Sequence, residues 1–408
     1  MADSPATVSS LNGLFKEVYP EGLRDLIPNG TKIQKRISFV RADKELGKSY
    51  NQPVVLAYPN GFTLAAAGAG AFSLNDSNTG TLKNASLDGS QILLREQMDY
   101  ESAAKSARGR NAFMDGTKLM FKNMQMSMRK TIECELLYGS MGLATVASYS
   151  SPTITVTTAE WAPGIWAGLE GRKITVYNGT SSSARGSDTI ASVDIEARTI
   201  TLTTGVAGTT AADTIYFETA YGSEMSGIHK ILSNSGLLFG ISASTYSLWK
   251  SVSYSAASAA LTFSKVRKAI ALAVAKGLDD DCDLYCNPKT WDNLMDDLAA
   301  LRRIVEKGGK GSSYQIGAEE IVFYSQNGKV AVTPSIYIKE GYAYGLCVDD
   351  WKRPGAADVS FNTPGASKDE IFFHLPTKAG FEARCYTDQA IFCEAPGRQF
   401  LITGIVNS

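Results

Sequence analysis

Two long stretches of this sequence cannot build a core of their own, and this constrains the fold more than any other feature. In residues 46–98, strand-like runs at 53–58 and 91–96 flank a segment rich in Gly, Ala, Ser and Asn that has few apolar side chains. A two-stranded excursion of this length is marginal alone and needs a surface to lie on. We therefore expect residues 46–98 to form an extended β-hairpin loop.

Residues 1–45 show the same shortage of core-forming side chains. Apolar residues recur at helical spacing in two short runs, which end at Pro20 and at the turn residues 28–30. Two short helices bury little surface between themselves. This segment is therefore predicted to be an N-terminal arm that lies across another part of the assembly.

Residues 115–138 predict the strongest helix in the chain, within a proline-free stretch from 99 to 151. Apolar residues recur there every four positions, at Met120, Met124, Met128, Ile132 and Leu136. Each step overshoots a helical turn by about 40°, so the stripe wraps around the helix and can meet several neighbours. A methionine stripe can also line an adaptable groove, but a long core helix is the commoner use.

Residues 146–222 differ from the rest in being rich in Thr, Ser, Ala and Gly. Alternating polar and β-branched residues occur at 153–157, 173–177, 189–193, 199–203 and 214–217. This period of two is typical of strands, and Asn178-Gly179 is a typical turn between two of them. About five strands suffice for a small barrel or sandwich. An inserted all-β domain is predicted.

The C-terminal half predicts a helix–strand–helix unit followed by strands. One helix is expected over 263–276, with Gly277 as its stop, and another from the cap Asn287 and Pro288 towards residue 305. A short buried strand lies between them. The remaining strands are predicted at 321–324, 335–338, 342–346 and in the closing run 379–405. Together with the long helix, this order indicates an α+β fold.

Composition excludes several classes of function. The 408 residues carry 40 Lys+Arg against 41 Asp+Glu, so the chain is not a polycation built to coat nucleic acid. Its 44% of hydrophobic residues argues against wholesale disorder. No segment approaches the roughly 20 apolar residues of a membrane helix, and residues 1–20 lack the pattern of a secretory signal. A soluble chain made in a cytoplasm is expected.

The nearest approach to a nucleotide site is Gly47-Lys48-Ser49. A phosphate-binding loop needs an earlier glycine, where this chain has Ala42, and a helix after the serine, where this chain has a strand-like run. The glycine-rich run 308–311 also lacks a following helix and is expected to be a solvated loop. The sequence evidence for a hydrolase or nucleotide enzyme is therefore limited to this one incomplete motif.

Other catalytic or metal-binding side chains are few. His229 and His374 have no partner at zinc-ligand spacing, and the cysteines form no C-x-x-C pair. Cys282 and Cys286 are expected on one face of a strand as free, reduced packing residues. The acidic run 279–281 lacks the spacing of a calcium loop. It is expected to cap a strand, with weak cation binding as the alternative. No catalytic, cofactor or metal residue is predicted.

Taken in order, these elements resemble the major capsid protein of tailed bacteriophages, the Hong Kong 97 fold. The stretches that carry the resemblance are LNGLFKEVY at 11–19, GIHKIL at 227–232, FGISASTY at 239–246, and DLYCNP at 283–288 followed by Trp291. The β unit, between Leu169-Glu170-Gly171 and the strand that begins at Asp213, is similar to insertions in several such proteins. Each motif is weak alone, and their order along nearly the whole chain makes the resemblance.

The resemblance implies a division of the chain into seven parts. These are an N-terminal arm (1–45), an extended loop (46–98), a spine helix with the start of a peripheral domain (99–145), the inserted all-β domain (146–222), a peripheral connection (223–260), an axial domain (261–360), and closing strands of the peripheral and axial domains (361–408).

The resemblance also implies a function without catalysis or cofactor. Hexamers and pentamers of one chain would tile an icosahedral shell around packaged double-stranded DNA, in a virion assembled in the host bacterial cytoplasm. Expected partners are further copies of the chain, a portal and a scaffolding protein, with no membrane and no sequence-specific DNA contact. The sequence does not decide whether decoration proteins bind to the shell. It also does not decide whether subunits are covalently cross-linked, because Lys83-Asn84 cannot be matched to the Lys–Asn pair that forms the cross-link in some members of the family.

The alternative is a binding module, in which the inserted β domain recognises a carbohydrate or a host surface. Aromatic residues that could stack on a sugar are Trp161, Trp166, Tyr177, Tyr216 and Phe217. Such side chains more often fill a small core.

Overall fold

A computed structural model describes residues 27–28, 30–41, 50–87, 89–106, 116–297, 321–324, 326, 328–362 and 371–407. The helices are α1 Ile33–Arg36, α2 Tyr100–Ser106, α3 Gly116–Tyr138, α4 Pro163–Trp166, α5 Ile228–Ser233, α6 Phe263–Val274 and α7 Pro288–Asp296. The first strands are β1 Phe39–Arg41, β2 Tyr50–Ala57, β3 Thr81–Leu87, β4 Ser90–Asp99, β5 Ala144–Ser150, β6 Thr153–Val156, β7 Lys173–Tyr177, β8 Ala184–Asp194, β9 Thr199–Leu202, β10 Thr214–Phe217 and β11 Leu237–Leu238. The others are β12 Ile241–Ser242, β13 Val252–Ala259, β14 Cys282–Cys286, β15 Ile321–Tyr324, β16 Lys329–Pro334, β17 Ala343–Leu346, β18 Trp351–Ser360, β19 Phe372–His374, β20 Gly380–Gln389, β21 Phe392–Cys393 and β22 Phe400–Ile405.

The alternating segment folds into a closed barrel with strand order β10-β5-β6-β9-β8-β7. The predicted strands are confirmed, and their apolar side chains, such as Ile174, Ile200 and Ile215, are buried. Ile215 of β10 lies opposite Ala144 of β5. The chain therefore enters and leaves the barrel at neighbouring points.

The predicted long helix is confirmed as α3. Its five-residue apolar stripe is buried throughout, as expected of a core helix that contacts several neighbours. The helix packs beside a sheet in which β18 pairs with β1 and β20, while β20 also pairs with β4 and β19. The buried residues of the barrel and of α3 form one continuous hydrophobic cluster.

A second sheet has the strand order β13-β22-β17-β14-β16-β15. Helices α6 and α7 belong to this unit. Asn287 Oδ1 accepts the N–H of Lys289, which confirms the predicted cap of α7, and Thr262 Oγ1, a cap that was not predicted, accepts the N–H of Lys265 at the start of α6. This sheet has its own core cluster. The prediction that α7 continues towards residue 305 is wrong at Asp297, which is extended and ends the helix at Asp296. Residues 298–305 and the predicted arm helices before Ile27 lie outside the described residues.

Two strand predictions need correction. The strand expected at 335–338 is wrong: β16 ends at Pro334, and Ile338 N–H bonds back to Ser335 O in a turn. The predicted pairing of 53–58 with 91–96 is also wrong. β2 pairs with β3, whereas β4 leaves the hairpin and pairs with β20. The sequence of β3, TLKNASL, is mostly exposed and gives no alternating signal.

Candidate assembly surfaces

Contacts at its base fix the β2–β3 hairpin to the body. The ring of Tyr50 meets that of Phe392 with centroids 5.5 Å apart, and Ser86 N–H donates to Phe239 O at 2.9 Å. Ala85 and Leu87 are buried at the same end. Val54 and Leu56 of β2 also pack partly against the core, and Lys83 of β3 lies over the ring of Tyr246, so the hairpin contacts the body along part of its length.

The distal half of the hairpin exposes large apolar side chains. The most exposed is Leu64, at 95%, and the set comprises Val55, Tyr58, Phe62, Leu64, Phe72, Leu74 and Leu82. The tip is nevertheless ordered by its own bonds: Asn75 N–H donates to Thr63 Oγ1 at 2.8 Å, and Asn60 N–H donates to Asn78 O at 3.1 Å. A contiguous apolar patch on an ordered element is typical of a protein–protein contact.

A second attachment holds the short helix α1 against α3. Three backbone N–H groups, of Lys32, Ile33 and Gln34, donate to the carboxylate of Glu133 at 2.9, 2.9 and 2.8 Å. Burial raises the pKa of Glu133, while these N–H groups and Arg353 act to lower it. Arg36 Nε also pairs with Asp283 Oδ2 of β14 at 2.8 Å. The end of the arm is thus joined to both the long helix and the second sheet.

A buried polar network joins the barrel to the second sheet. Lys339 Nζ lies 2.5 Å from Glu160 Oε2, and Tyr342 hydroxyl donates to Glu160 Oε1 at 2.7 Å. Although burial acts to raise it, the pKa of Glu160 is lowered by the Lys339 ammonium. Beside this pair, His229 Nδ1 lies 2.9 Å from Tyr344 hydroxyl. Burial, reinforced by the charge of Lys339, lowers the pKa of His229 to about 4.

The histidines and cysteines occupy structural positions. A histidine with so low a pKa is neutral near pH 7, and His374 Nδ1 contacts Tyr100 hydroxyl at 2.9 Å on the surface. All six cysteines are free and buried, which confirms that they are packing residues. Burial raises the pKa of Cys282 and of Cys286 to about 12, so both thiols stay protonated.

The acidic run 279–281 caps a strand, as predicted. Asp281 Oδ1 accepts the N–H of Lys329 at 2.8 Å, at the start of β16. Asp279 and Asp280 both pair with the guanidinium of Arg398, which also contacts Asp350 Oδ1 at 3.2 Å. The acidic side chains are therefore held by internal partners.

Three kinds of site can be judged only for the part of the chain that the structure describes. There, no three side chains of the His, Cys, Asp or Glu type lie together in a way that could hold a metal. No helix of that part is long and apolar enough to cross a bilayer. The glycine-containing motifs at 47–49 and 308–311 lie outside it.

The aromatic residues of the barrel region fill the core more than they line a surface. Trp161 and Trp166 are buried, with rings stacked at 6.3 Å, and the Phe217 ring lies 3.4 Å from the guanidinium carbon of Arg172. Only Tyr177 and Tyr221, stacked at 4.1 Å, form a partly exposed pair among the described rings of this region. The two tryptophans are therefore not available to stack on a sugar.

The described part of the chain combines a long central helix, two open sheets, a closed β-barrel and a hairpin whose tip exposes large apolar side chains. No protein-family model matches the sequence, and no curated protein is similar to it. Solved structures are similar along the whole chain.

Three of these structures come from phages. The capsid asymmetric unit of cyanophage A-1(L) matches with a TM-score of 0.58 and 13% identity, covering 98% of this chain and 99% of that chain. A structure of Mycobacterium phage Bobi matches with a TM-score of 0.52 and 10% identity, covering 99% and 100%. The capsid of cyanophage P-SCSP1u matches with a TM-score of 0.51 and 9% identity, covering 100% and 97%. The chain therefore has the α+β Hong Kong 97 capsid fold, and the predicted resemblance is confirmed at the level of the fold.

Sequence reasoning missed the two charged groups that join the parts of this fold, Glu133 and the Lys339–Glu160 pair. Glu133 had a recognisable signal, since an acid in the apolar stretch 131–138 of a core helix needs a partner. The pair of Lys339 and Glu160 had none, because the two residues are far apart in the chain and lie in segments without periodicity.

Proposed function

We propose that this chain is the major capsid protein of a tailed bacteriophage. In this proposal, it assembles into hexamers and pentamers of an icosahedral shell that encloses double-stranded DNA, and it has no catalytic activity. The supporting observation is the ordered hairpin from Tyr50 to Leu87, whose apolar tip is exposed in the isolated chain. The division of the chain predicted from its sequence is part of the same proposal.

Burial of the tip would supply much of the contact energy between subunits. Transferring an exposed Phe or Leu side chain from water into an apolar contact contributes about 1.5–3 kcal/mol. Phe62, Leu64 and Leu74 together would therefore contribute roughly 5–9 kcal/mol before the entropy cost of association. A net charge of −1 leaves little repulsion between like subunits.

The remaining parts of the proposal concern the surroundings of the shell. Portal and scaffolding proteins are the expected partners. The DNA would be enclosed without sequence-specific contacts, which agrees with the balanced charge of the chain. The mature protein would be found in the virion, after assembly in the cytoplasm of the host bacterium.

Sedimentation velocity of the purified chain, with electron microscopy of any fast fraction, tests this proposal. Hexamers, pentamers or closed shells are the expected species. A well-folded monomer that persists at every protein and salt concentration would contradict the proposal.

A double variant tests whether the hairpin mediates assembly. Phe62→Ser combined with Leu64→Ser should abolish the fast-sedimenting species and leave the unfolding midpoint unchanged, because neither side chain is buried in the isolated chain. Leu248→Ser is the control, since Leu248 is an exposed leucine of the short 3-10 helix Ser247–Trp249, outside the hairpin. If the control and the double variant lose assembly equally, the hairpin has no special role.

A further inference from the structure

The barrel is connected to the rest of the chain through two adjacent segments, here called the neck: residues 139–143, which lead from α3 into β5, and residues 218–227, which lead from β10 to α5. The two segments are bonded to each other. Gly227 N–H donates to Gly139 O at 3.0 Å, and Ser140 Oγ lies 3.1 Å from Glu224 O. The neck is therefore one of several places at which the barrel is joined to α3, together with the bonds from Arg172 to Thr131 and from Lys130 to Ala167.

Two carboxyl groups meet across the neck. Glu135 lies in the last turn of α3 and is buried. Glu224 lies on the returning segment, where its Oε2 accepts the N–H of Ser140 at 2.7 Å. Glu135 Oε2 is buried without a hydrogen-bond donor among the described residues. A buried carboxylate oxygen with no donor is costly, but a carboxylic acid can itself donate to a neighbouring carboxylate.

Both groups favour the protonated state. Burial, and next the charge of Glu224, raises the pKa of Glu135 well above its ordinary value, against the attraction of Arg172. Burial also raises the pKa of Glu224, against the N–H of Ser140 and the bond with Glu135. Two carboxyl groups in such contact share a proton because they cannot both ionise cheaply.

The other titratable groups around the pair leave this proton in place. Arg172 is engaged elsewhere: its Nη1 donates to Thr131 Oγ1 at 2.9 Å, and its guanidinium lies over the ring of Phe217. Burial raises the pKa of Tyr216, which faces Glu224 beside Tyr177 and Tyr221, to about 12. Burial likewise raises the pKa of the Cys134 thiol, next to Glu135 on α3, to about 12. The tyrosine and the thiol are therefore neutral.

Lys130 is the buried cation among the described residues of α3. The ammonium of Lys130 donates to Ala167 O, and burial lowers its pKa. Its charge is therefore directed at the segment before β7, away from the carboxyl pair.

We propose that Glu135 and Glu224 share one proton that closes the neck, and that losing this proton as the pH rises opens the neck. The inference concerns the folded chain itself and does not depend on assembly. The direction of this pH dependence follows from the linkage between protonation and folding. A carboxyl whose pKa is raised by folding favours the folded state fully below its ordinary value of 4.5, and this stability is lost as the pH rises through the folded value.

Hydrogen exchange of the full chain, measured by mass spectrometry between pH 5 and pH 8, tests this proposal. Protection factors of the amides of Ser140 and Gly227, corrected for the intrinsic exchange rate, report neck opening. In the wild type we expect them to fall as the pH rises, by up to about tenfold per pH unit, which is the limit for an opening linked to the loss of one proton. In Glu135→Gln, whose amide donates at every pH, we expect no fall.

Glu218→Gln is the matched control, because Glu218 is a half-exposed carboxylate on the same segment, paired with Lys173 at 2.6 Å. It should keep the pH dependence of the wild type. If Glu135→Gln is less protected than the wild type at pH 8, Glu135 is an ionised partner of Arg172 and the proposal is wrong. A flat wild-type profile would also overturn it.

A second measurement keeps the proposal testable if Glu135→Gln does not fold. Infrared difference spectra of the wild type should show a carboxylic-acid band at pH 7 that Glu224→Gln alters. The absence of any protonated carboxyl at pH 7 would refute the shared proton without recourse to a variant at position 135.

Discussion

Glu133 is the side chain through which helix α1 is attached to α3, and its replacement tests how much that attachment contributes to stability. The carboxylate accepts three backbone N–H groups, two on Oε1 and one on Oε2. Glu133→Ala removes all three acceptors at once. Glu133→Gln keeps an acceptor on one side and places a donor on the other.

The magnitude follows from the number of bonds lost. A hydrogen bond of this kind contributes about 1 kcal/mol net, and a buried donor left unpaired costs about 1–3 kcal/mol. We therefore expect Glu133→Ala to lower the free energy of unfolding by roughly 3 kcal/mol, and Glu133→Gln by roughly 1–2 kcal/mol. The loss should be concentrated at α1, because all three donors lie at its N-terminal end.

Urea unfolding gives the total change, and hydrogen exchange shows where it falls. The amides of Arg36 and Ile37, which bond back to Lys32 O and Ile33 O, should lose protection in Glu133→Ala. Glu196→Ala, at an exposed turn of the barrel, should change neither measurement. If Glu133→Ala were within 0.5 kcal/mol of the wild type, the range usual for surface substitutions, Glu133 would not anchor α1.

Two further predictions concern buried rings. Trp166→Ala should lower the free energy of unfolding by about 3–5 kcal/mol in urea titrations, because a fully buried indole is removed from the stack with Trp161. Trp166→Phe should cost less than half as much, since the indole N–H has no partner among the described residues; equal costs would contradict this. Because the pKa of His229 is about 4, its imidazole NMR signals should not shift between pH 8 and pH 5.5. A titration midpoint near pH 6.5 would show that His229 is not buried as described.

The parts of the fold that the sequence predicts correctly are those in which one face is buried and the other is not. Helix α3 and the barrel strands have that asymmetry, so their period of four or two is visible in the sequence. Strand β3 lacks it: most of its side chains are exposed, so burial leaves no pattern. Its pairing with β2 could be learned only from the folded chain.

The candidate surfaces were predictable in kind but not in detail. The shortage of core-forming residues in 46–98 agrees with the exposed tip of the β2–β3 hairpin, whereas β4 of the same segment joins the main sheet. The residues that join the parts could not be deduced, because Glu133 meets the backbone of Lys32 about a hundred positions earlier in the chain. The turn at 335–338 was mistaken for a strand because Ile336 and Ile338 alternate with polar residues by chance.

The hydrogen bonds within the hairpin tip determine the step at which the loop loses its conformational entropy. Asn75 and Asn78 hold the tip in shape before any second surface is present, so the conformational entropy of the loop is given up during folding and not during association. A preorganised contact of this kind needs less buried area for a given affinity. In the proposed shell, each added subunit would then bind through a small contact, strong enough to persist once neighbours close around it and weak enough to release a misplaced copy.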